Sequence, residues 1–342
     1  MVATTPASTL VIGPAWVGDM VMAQPLFKLI KQRLPDSRLD VLAPSATFPL
    51  LERMPEVDHG VLSETDHGEF KFGYRMNLGE KLRGFYDRAI VLPNSFKSAL
   101  IPLFADIPER VGYRGEYRYF LLNDIRLQSK RRPKPMIEVF AALSQPAEKQ
   151  LKLPLPIPSL STDEDQQQQL LTRFGLHSEM PIVGLCSGAA FGDAKRWPPA
   201  HYAELARAQV DAGRQVWLFG SAGDMEAASE IMSLVNHSGC TDLTGKTSLT
   251  EAIDLISLCN LIVTNDSGLM HVACATGVPT IAIYGSTSPG FTPPLSEQAE
   301  IISLELDCSP CFKRTCPLGH TNCLNQLSPE RVLAMSEQWM NR

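Results

Sequence analysis

Three features of the chain predict an α/β protein made of two Rossmann-like domains. Short β-rich runs alternate with helical patterns, a proline-rich stretch interrupts them near the middle, and the same alternation then restarts. Alternation of this kind builds βαβ units on a parallel sheet. At 342 residues the chain is too long for one ordinary core and comfortable for two.

In the first half, Leu10-Val11-Ile12-Gly13 reads as a strand and residues 19–33 as a helix ended near Pro35. Residues 39–43 and 88–92 are further strands, the latter followed by a helix over 96–104. Leu151-Lys152-Leu153-Pro154-Leu155-Pro156-Ile157-Pro158 can be neither regular helix nor central strand, because proline lacks the N–H and fixes φ. It reads as a linker. Beyond it the pattern predicts helices over 166–173, 202–212, 224–235, 249–259 and 268–275, and strands over 181–185, 215–219, 261–264 and 280–284. The expected division is 1–155, 156–326 and a closing helix in 327–342 that packs back on the N-terminal domain. Two such halves suggest facing domains with a cleft between them.

Composition narrows the class. Hydrophobic content is 44% and mean hydropathy −0.05, enough to bury cores. No apolar run approaches the ~18 residues of a membrane span, and the N-terminus lacks a basic, apolar leader. A cytoplasmic, monomeric protein is expected. The net charge of −6 argues against nucleic-acid binding. Residues 1–150 nevertheless carry 20 Lys+Arg against 17 Asp+Glu. Their basic region, Arg110, Arg114, Arg118, Arg126, Lys130, Arg131, Arg132 and Lys134, is either a solvated face or a docking surface for an anionic substrate or membrane.

In open parallel sheets ligands bind beyond the carboxyl ends of the strands. The loop Gly13-Pro14-Ala15-Trp16-Val17-Gly18-Asp19 departs from a dinucleotide fingerprint at Ala15, and no ribose-binding acid follows the second strand. It leaves Asp19 at a helix start, as a cap or as a general base. Pro93-Asn94-Ser95-Phe96-Lys97-Ser98 offers amide, hydroxyl and ammonium groups suited to a polyhydroxylated, anionic acceptor, or caps its helix. In the second half, Asn265-Asp266-Ser267-Gly268 opens a helix, where unpaired N–H groups and the helix dipole favour an anion. His271 lies one turn on, either at the site or packed in the core. The long loop from Cys186 through Ser187, Gly188 and Lys195 to Trp197-Pro198 adds a cation against phosphate. Phe219-Gly220-Ser221-Ala222-Gly223-Asp224 allows close ligand approach, with Asp224 or Glu226 available to ribose hydroxyls. Three such loops in one half point to a nucleotide site.

At these residues the chain resembles a known family. Val11-Ile12-Gly13-Pro14-Ala15-Trp16-Val17-Gly18-Asp19, Leu92-Pro93-Asn94-Ser95-Phe96-Lys97-Ser98-Ala99-Leu100 and Lys195-Arg196-Trp197-Pro198 look like the bacterial ADP-heptose:lipopolysaccharide heptosyltransferases of glycosyltransferase family 9. So do Thr264 to His271 and Phe291-Thr292-Pro293-Pro294-Leu295. The similarity runs from Leu10 to about Leu333 and is strongest to members that add the second inner-core heptose.

The resemblance implies a GT-B fold, with an N-terminal acceptor domain and a C-terminal donor domain. It implies ADP-heptose as donor, the heptosylated Kdo2-lipid A inner core as acceptor, inversion at the anomeric carbon and peripheral contact with the inner membrane. Asp19 takes the family's catalytic position and Lys195 the donor-phosphate position. Asp266, Ser267, Gly268 and His271 take the donor motif, with Ser187, Gly188, Gly220, Ser221, Asp224 and Thr247 around it. Trp16, Asn94, Ser95, Lys97, Arg114 and Arg118 are expected on the acceptor side. No Asp-x-Asp pair occurs in the strand-end loops of the donor half, so no catalytic metal and no cofactor are expected. The rivals are the same chemistry on the Kdo acceptor, a GT-B epimerase or hydrolase, and a non-catalytic nucleotide-binding module.

Eight cysteines remain. Cys186, Cys240, Cys259 and Cys274 read as small core residues. Cys308-x2-Cys311-x4-Cys316-x6-Cys323 is either a reduced loop or a structural zinc site, disulfides being disfavoured in a cytoplasmic chain.

Overall fold

The structure, a computed structural model, describes residues 7–65, 68–128 and 134–341 and divides into two units, Met1–Pro158 and Ser159–Arg342. The linker prolines close the first unit.

The first unit carries strands β1 (Ser8–Ile12), β2 (Arg38–Pro44), β3 (His59–Ser63), β4 (Arg88–Val91), β5 (Glu109–Tyr113) and β6 (Asp124–Arg126). They form one parallel sheet in the order β3-β2-β1-β4-β5-β6. Helices α1 (Val17–Arg33), α2 (Phe72–Lys81), α3 (Leu100–Phe104) and α4 (Met136–Ala141) connect and cover it. The helix expected over 96–104 begins as a 3-10 turn, Phe96–Ala99, before α3. β1, β2 and β4 are almost wholly buried, as expected for strands covered on both faces.

The second unit repeats the plan. It contains α5 (Glu164–Phe174), β7 (Ile182–Cys186), α6 (Pro199–Asp211), β8 (Gln215–Leu218), α7 (Met225–Val235), β9 (Cys240–Asp242), α8 (Leu249–Ile256) and β10 (Leu261–Asn265). It continues with α9 (Gly268–Ala275), β11 (Thr280–Tyr284), β12 (Ala299–Ser303), α10 (Asn322–Asn325) and α11 (Pro329–Met340). The sheet is again parallel, ordered β12-β11-β10-β7-β8-β9. Both strand orders reverse direction beside the first strand of their unit, which is where loops diverge and ligands enter.

α11 belongs to the second unit, where it packs on α6, and Val332 joins the core of Val183, Leu185, Trp197 and Tyr202. Its apolar face fits that groove, and Arg214 clasps Glu337 of α11 with both guanidinium nitrogens.

Candidate functional site

In the second unit the expected loops leave neighbouring strands. Asp266 stands at the end of β10, 3% exposed, and its backbone N–H is held by the Ile283 carbonyl of β11. Its carboxylate accepts from Lys195 Nζ at 2.7 Å, from the Thr287 hydroxyl and, at 3.4 Å, from the Thr292 hydroxyl. Lys195 Nζ also reaches the Asp266 carbonyl at 3.2 Å and lies 5.0 Å from the Phe191 ring centre. Two of the ammonium's three donors are thus aimed at Asp266, and one remains for an anion. Thr287 and Thr292 were not anticipated. Thr287 lies outside every motif, and Thr292 lies in Phe291–Leu295, a run that carried the resemblance but no assigned role.

Asn265 explains how the loop after β7 is placed. Its buried amide donates to the Ser187 carbonyl at 2.8 Å and accepts the Trp197 N–H at 3.0 Å. One side chain therefore anchors both ends of the loop that carries Gly188 and Lys195. The middle is braced by Arg314, whose carbonyl accepts the Ala194 N–H and whose guanidinium lies 5.4 Å from the Phe191 ring centre.

α9 starts at Gly268 with Ser267 as N-cap, and no side-chain hydrogen bond caps it. Its first residues follow directly on Asp266, which Lys195 contacts. His271 lies on its first turn, 3% exposed, and its Nδ1 has no hydrogen-bond partner among the described residues. Burial pulls its pKa down to about 4, with Asp266 opposing and Lys195 adding to the shift, so the imidazole is neutral near pH 7.

Beside this, Gly188 approaches Asp224 so closely that a Cβ would sit 2.3 Å from its carboxyl carbon. Asp224 is held by the Ser221 N–H and hydroxyl at 2.9 and 2.7 Å and faces Arg196 at 3.7 Å. Asp224 therefore shapes the Gly220-Ser221 turn as well as standing at the site, and Arg196 is a second cation there. Thr247 is half-buried just before Ser248, the N-cap of α8.

In the first unit Trp16, not Asp19, is the N-cap of α1, without a side-chain cap bond. Asp19 is half-buried in the first helical turn. The loop after β4 is knitted to the loop after β5. Glu116 accepts the Phe96 N–H at 2.9 Å, and the Asn94 carbonyl accepts the Glu116 N–H. A Cβ at Gly115 would lie 1.9 Å from that carbonyl oxygen, so only glycine fits.

Arg118 corrects an expectation. It is 1% exposed, and its guanidinium donates to the carbonyls of Tyr113, Pro93 and Ser95, to Asn94 Oδ1 and to the Ser98 hydroxyl. Burial brings its pKa down to about 10. It organises the loops after β4 and β5 rather than presenting its charge. Arg114 is exposed and Lys97 half-buried. The basic region is likewise not one face. Arg110 donates to the Ile107 and Leu121 carbonyls, Arg126 pairs with Asp124 at 2.6 Å, and Lys134 stands 4.0 Å from Glu138. Lys130, Arg131 and Arg132 lie outside the described residues.

Cys186, Cys240, Cys259 and Cys274 are buried and their pKa values raised by burial. Cys308, Cys311 and Cys316 are half-buried, Cys323 is buried, and all are free thiols. Among the described residues no group of three or more His, Cys, Asp or Glu side chains is arranged to hold a metal ion, and no helix is long and apolar enough to cross a membrane.

Comparison with known proteins agrees with this layout. The glycosyltransferase family 9 (heptosyltransferase) profile matches residues 75–322. Lipopolysaccharide heptosyltransferase 2 of Salmonella typhimurium is 48% identical over 333 residues, covering 95% of this chain and 96% of the relative. The Escherichia coli protein of that name is 47% identical with the same coverage. The solved structure of E. coli ADP-heptose lps heptosyltransferase II superposes with a TM-score of 0.88 at 46% identity, covering 97% of this chain and 98% of that one. The two parallel sheets and their helices are those of a GT-B enzyme, and the chain belongs to glycosyltransferase family 9, the heptosyltransferases.

Proposed function

We propose that this enzyme transfers L-glycero-D-manno-heptose from ADP-heptose to the first heptose of the lipopolysaccharide inner core, with inversion. The observation that carries the donor half is the cluster at the end of β10. A cation, a helix N-terminus without a side-chain cap and a neutral histidine whose Nδ1 has no partner among the described residues gather around one carboxylate. That set suits a diphosphate leaving group, because charge developing on it is met by donors already in place.

In the reaction the acceptor hydroxyl oxygen attacks the anomeric carbon as the bond from that carbon to the diphosphate oxygen breaks. Asp19 takes the hydroxyl proton. Its modest basicity suffices, since the hydroxyl acidifies as its new bond forms. The departing ADP is stabilised by Lys195 and the Gly268 end of α9. Ser187, Gly188, Gly220, Ser221, Asp224 and Thr247 form the nucleoside side. Asn94, Ser95, Lys97, Arg114 and Trp16 form the acceptor side, with Arg118 behind them. No metal is needed for this chemistry. The enzyme works peripherally at the cytoplasmic face of the inner membrane.

The discriminating assay offers ADP-heptose with acceptors bearing no heptose or one. ADP release and a mass gain of one heptose only on the singly heptosylated acceptor are expected. Transfer to the bare Kdo acceptor identifies the first-heptose activity instead. ADP release without any acceptor identifies a hydrolase. The assay repeated with EDTA should run undiminished, and activity lost with EDTA and restored by magnesium defeats the metal-free mechanism. Metal analysis of the purified protein tests the Cys308–Cys323 segment separately.

A further inference from the structure

Among the exposed large apolar side chains of the first unit, one set lies in the loops that follow four neighbouring strands. Trp16 follows β1, Phe96 follows β4, Tyr117, Tyr119 and Phe120 follow β5, and Leu127 follows β6. Strands β1, β4, β5 and β6 are consecutive and parallel, so these loops leave one edge of the sheet in a row. Neighbouring strands stand ~4.8 Å apart, so these loops follow one another closely along one rim of the sheet.

The rim is held, not trailing. Tyr117 and Phe120 are 88% and 92% exposed, yet Arg118 between them is buried with its whole guanidinium bonded, and Leu121 and Leu122 are buried directly behind. Tyr117 sits at φ +33°, a backbone state that persists in a non-glycine residue only where the surroundings impose it. The bonds between Glu116, Phe96 and Asn94 tie the central two loops into one piece. Clustered exposed aromatics on an ordered support mark an interaction surface. Their type narrows the partner. Tyrosine and tryptophan, with an apolar ring and a polar edge, are the residues that settle at a lipid–water boundary. The exposed Arg114 and the half-buried Lys97 beside them supply charge that complements anionic headgroups.

We propose that this rim is a membrane-docking edge, with Tyr117, Tyr119 and Phe120 entering the headgroup layer of an anionic bilayer and Arg114 and Lys97 lying against lipid phosphates. The proposal rests on the glycolipid-acceptor reading above. The acceptor sugar has to be reached while its lipid stays in the bilayer, and Asn94 and Ser95 stand on this same edge.

The test is co-sedimentation of the full chain with phosphatidylglycerol–phosphatidylethanolamine vesicles and with phosphatidylcholine vesicles. Binding to the anionic vesicles is expected, weakening with salt. The double variant Tyr117→Ser/Phe120→Ser should lose about tenfold in partitioning. On a deacylated, water-soluble acceptor its kcat/KM should stay within about twofold, as for other surface changes, while it falls on vesicle-embedded acceptor. Unchanged partitioning of the variant overturns the proposal. Equal loss on both acceptors also overturns it, by making these rings sugar contacts. A dimer in analytical ultracentrifugation that the variant abolishes assigns the rim to a second copy and overturns it too. If neither acceptor is turned over while the partitioning loss is seen, the transferase reading fails and the docking edge stands.

Discussion

The carboxyl edges of the two sheets follow one plan and are finished in opposite ways. In the second unit the edge is polar but withdrawn from water: Asp266, Lys195 and Asn265 are buried or nearly so and bonded to one another or to backbone, and His271 is buried with them. In the first unit the edge is bonded beneath and apolar on top, with Arg118 spent internally and aromatic rings turned outward. A leaving diphosphate needs fixed charge in a dry place, where each donor counts for more. A lipid-linked acceptor calls for a surface that tolerates a boundary. The shared scaffold sets where the loops emerge, and the loops alone decide which of these environments is made.

The comparison can be broken by substitutions on either edge. The largest effect is expected from Asp19→Asn, which should lower kcat by about 10²- to 10⁴-fold while ADP binding, measured by calorimetry, is kept. A variant with near-parental turnover removes the base from the first unit. Next, Lys195→Met leaves the buried Asp266 carboxylate without its cation. Urea unfolding should show a loss of about 3–5 kcal/mol, and ADP affinity should drop with it. Lys195→Arg should restore part of both.

His271 gives a pH signature. Its pKa falls from the ordinary 6.5 to about 4 on folding, mainly through burial. Between those values the unfolded chain binds the proton that the folded chain refuses, so stability rises with pH there and is lost as pH falls. The contribution is on the order of 3 kcal/mol, complete above about pH 6.5. His271→Gln should flatten the stability profile between pH 4 and 6.5, and an unchanged slope assigns the effect elsewhere. The smallest effect belongs to the first unit: Arg118→Met should cost about 1–3 kcal/mol through carbonyls left unpaired. It should also raise KM for the acceptor more than it lowers kcat, with limited proteolysis opening between residues 92 and 123.

Much of this was legible in the chain itself, and the omissions have physical causes. β1, β4, β7, β10 and β11 are buried on both faces and read as apolar runs. β3 and β12 are edge strands with exposed positions, and β6 and β9 are three residues long, so none carries that signal. α2 contains Gly73 and Gly79, and the latter packs against Phe104 through its missing side chain, which hides the helix from propensity. At the site, the Asp266–His271 turn was readable because its donors are local. The contacts of Thr287, Thr292 and Arg196 were not, although the last two lie in quoted motifs, because they arise through tertiary placement. Arg118 looked like a surface cation in a basic run. Only the converging carbonyls of Pro93, Ser95 and Tyr113 show that it is an internal strut.

Asn265 carries a consequence of a different kind. Its amide faces a carbonyl with its nitrogen and an N–H with its oxygen. Aspartate has the same shape and could be threaded into the same space, yet it would set oxygen against oxygen at Ser187. Position 265 is therefore a polarity key: replacing one NH2 by O keeps every contact distance and inverts the sign of those to the Ser187 and Gly188 carbonyls, turning the tether of the Lys195 loop into a repulsion.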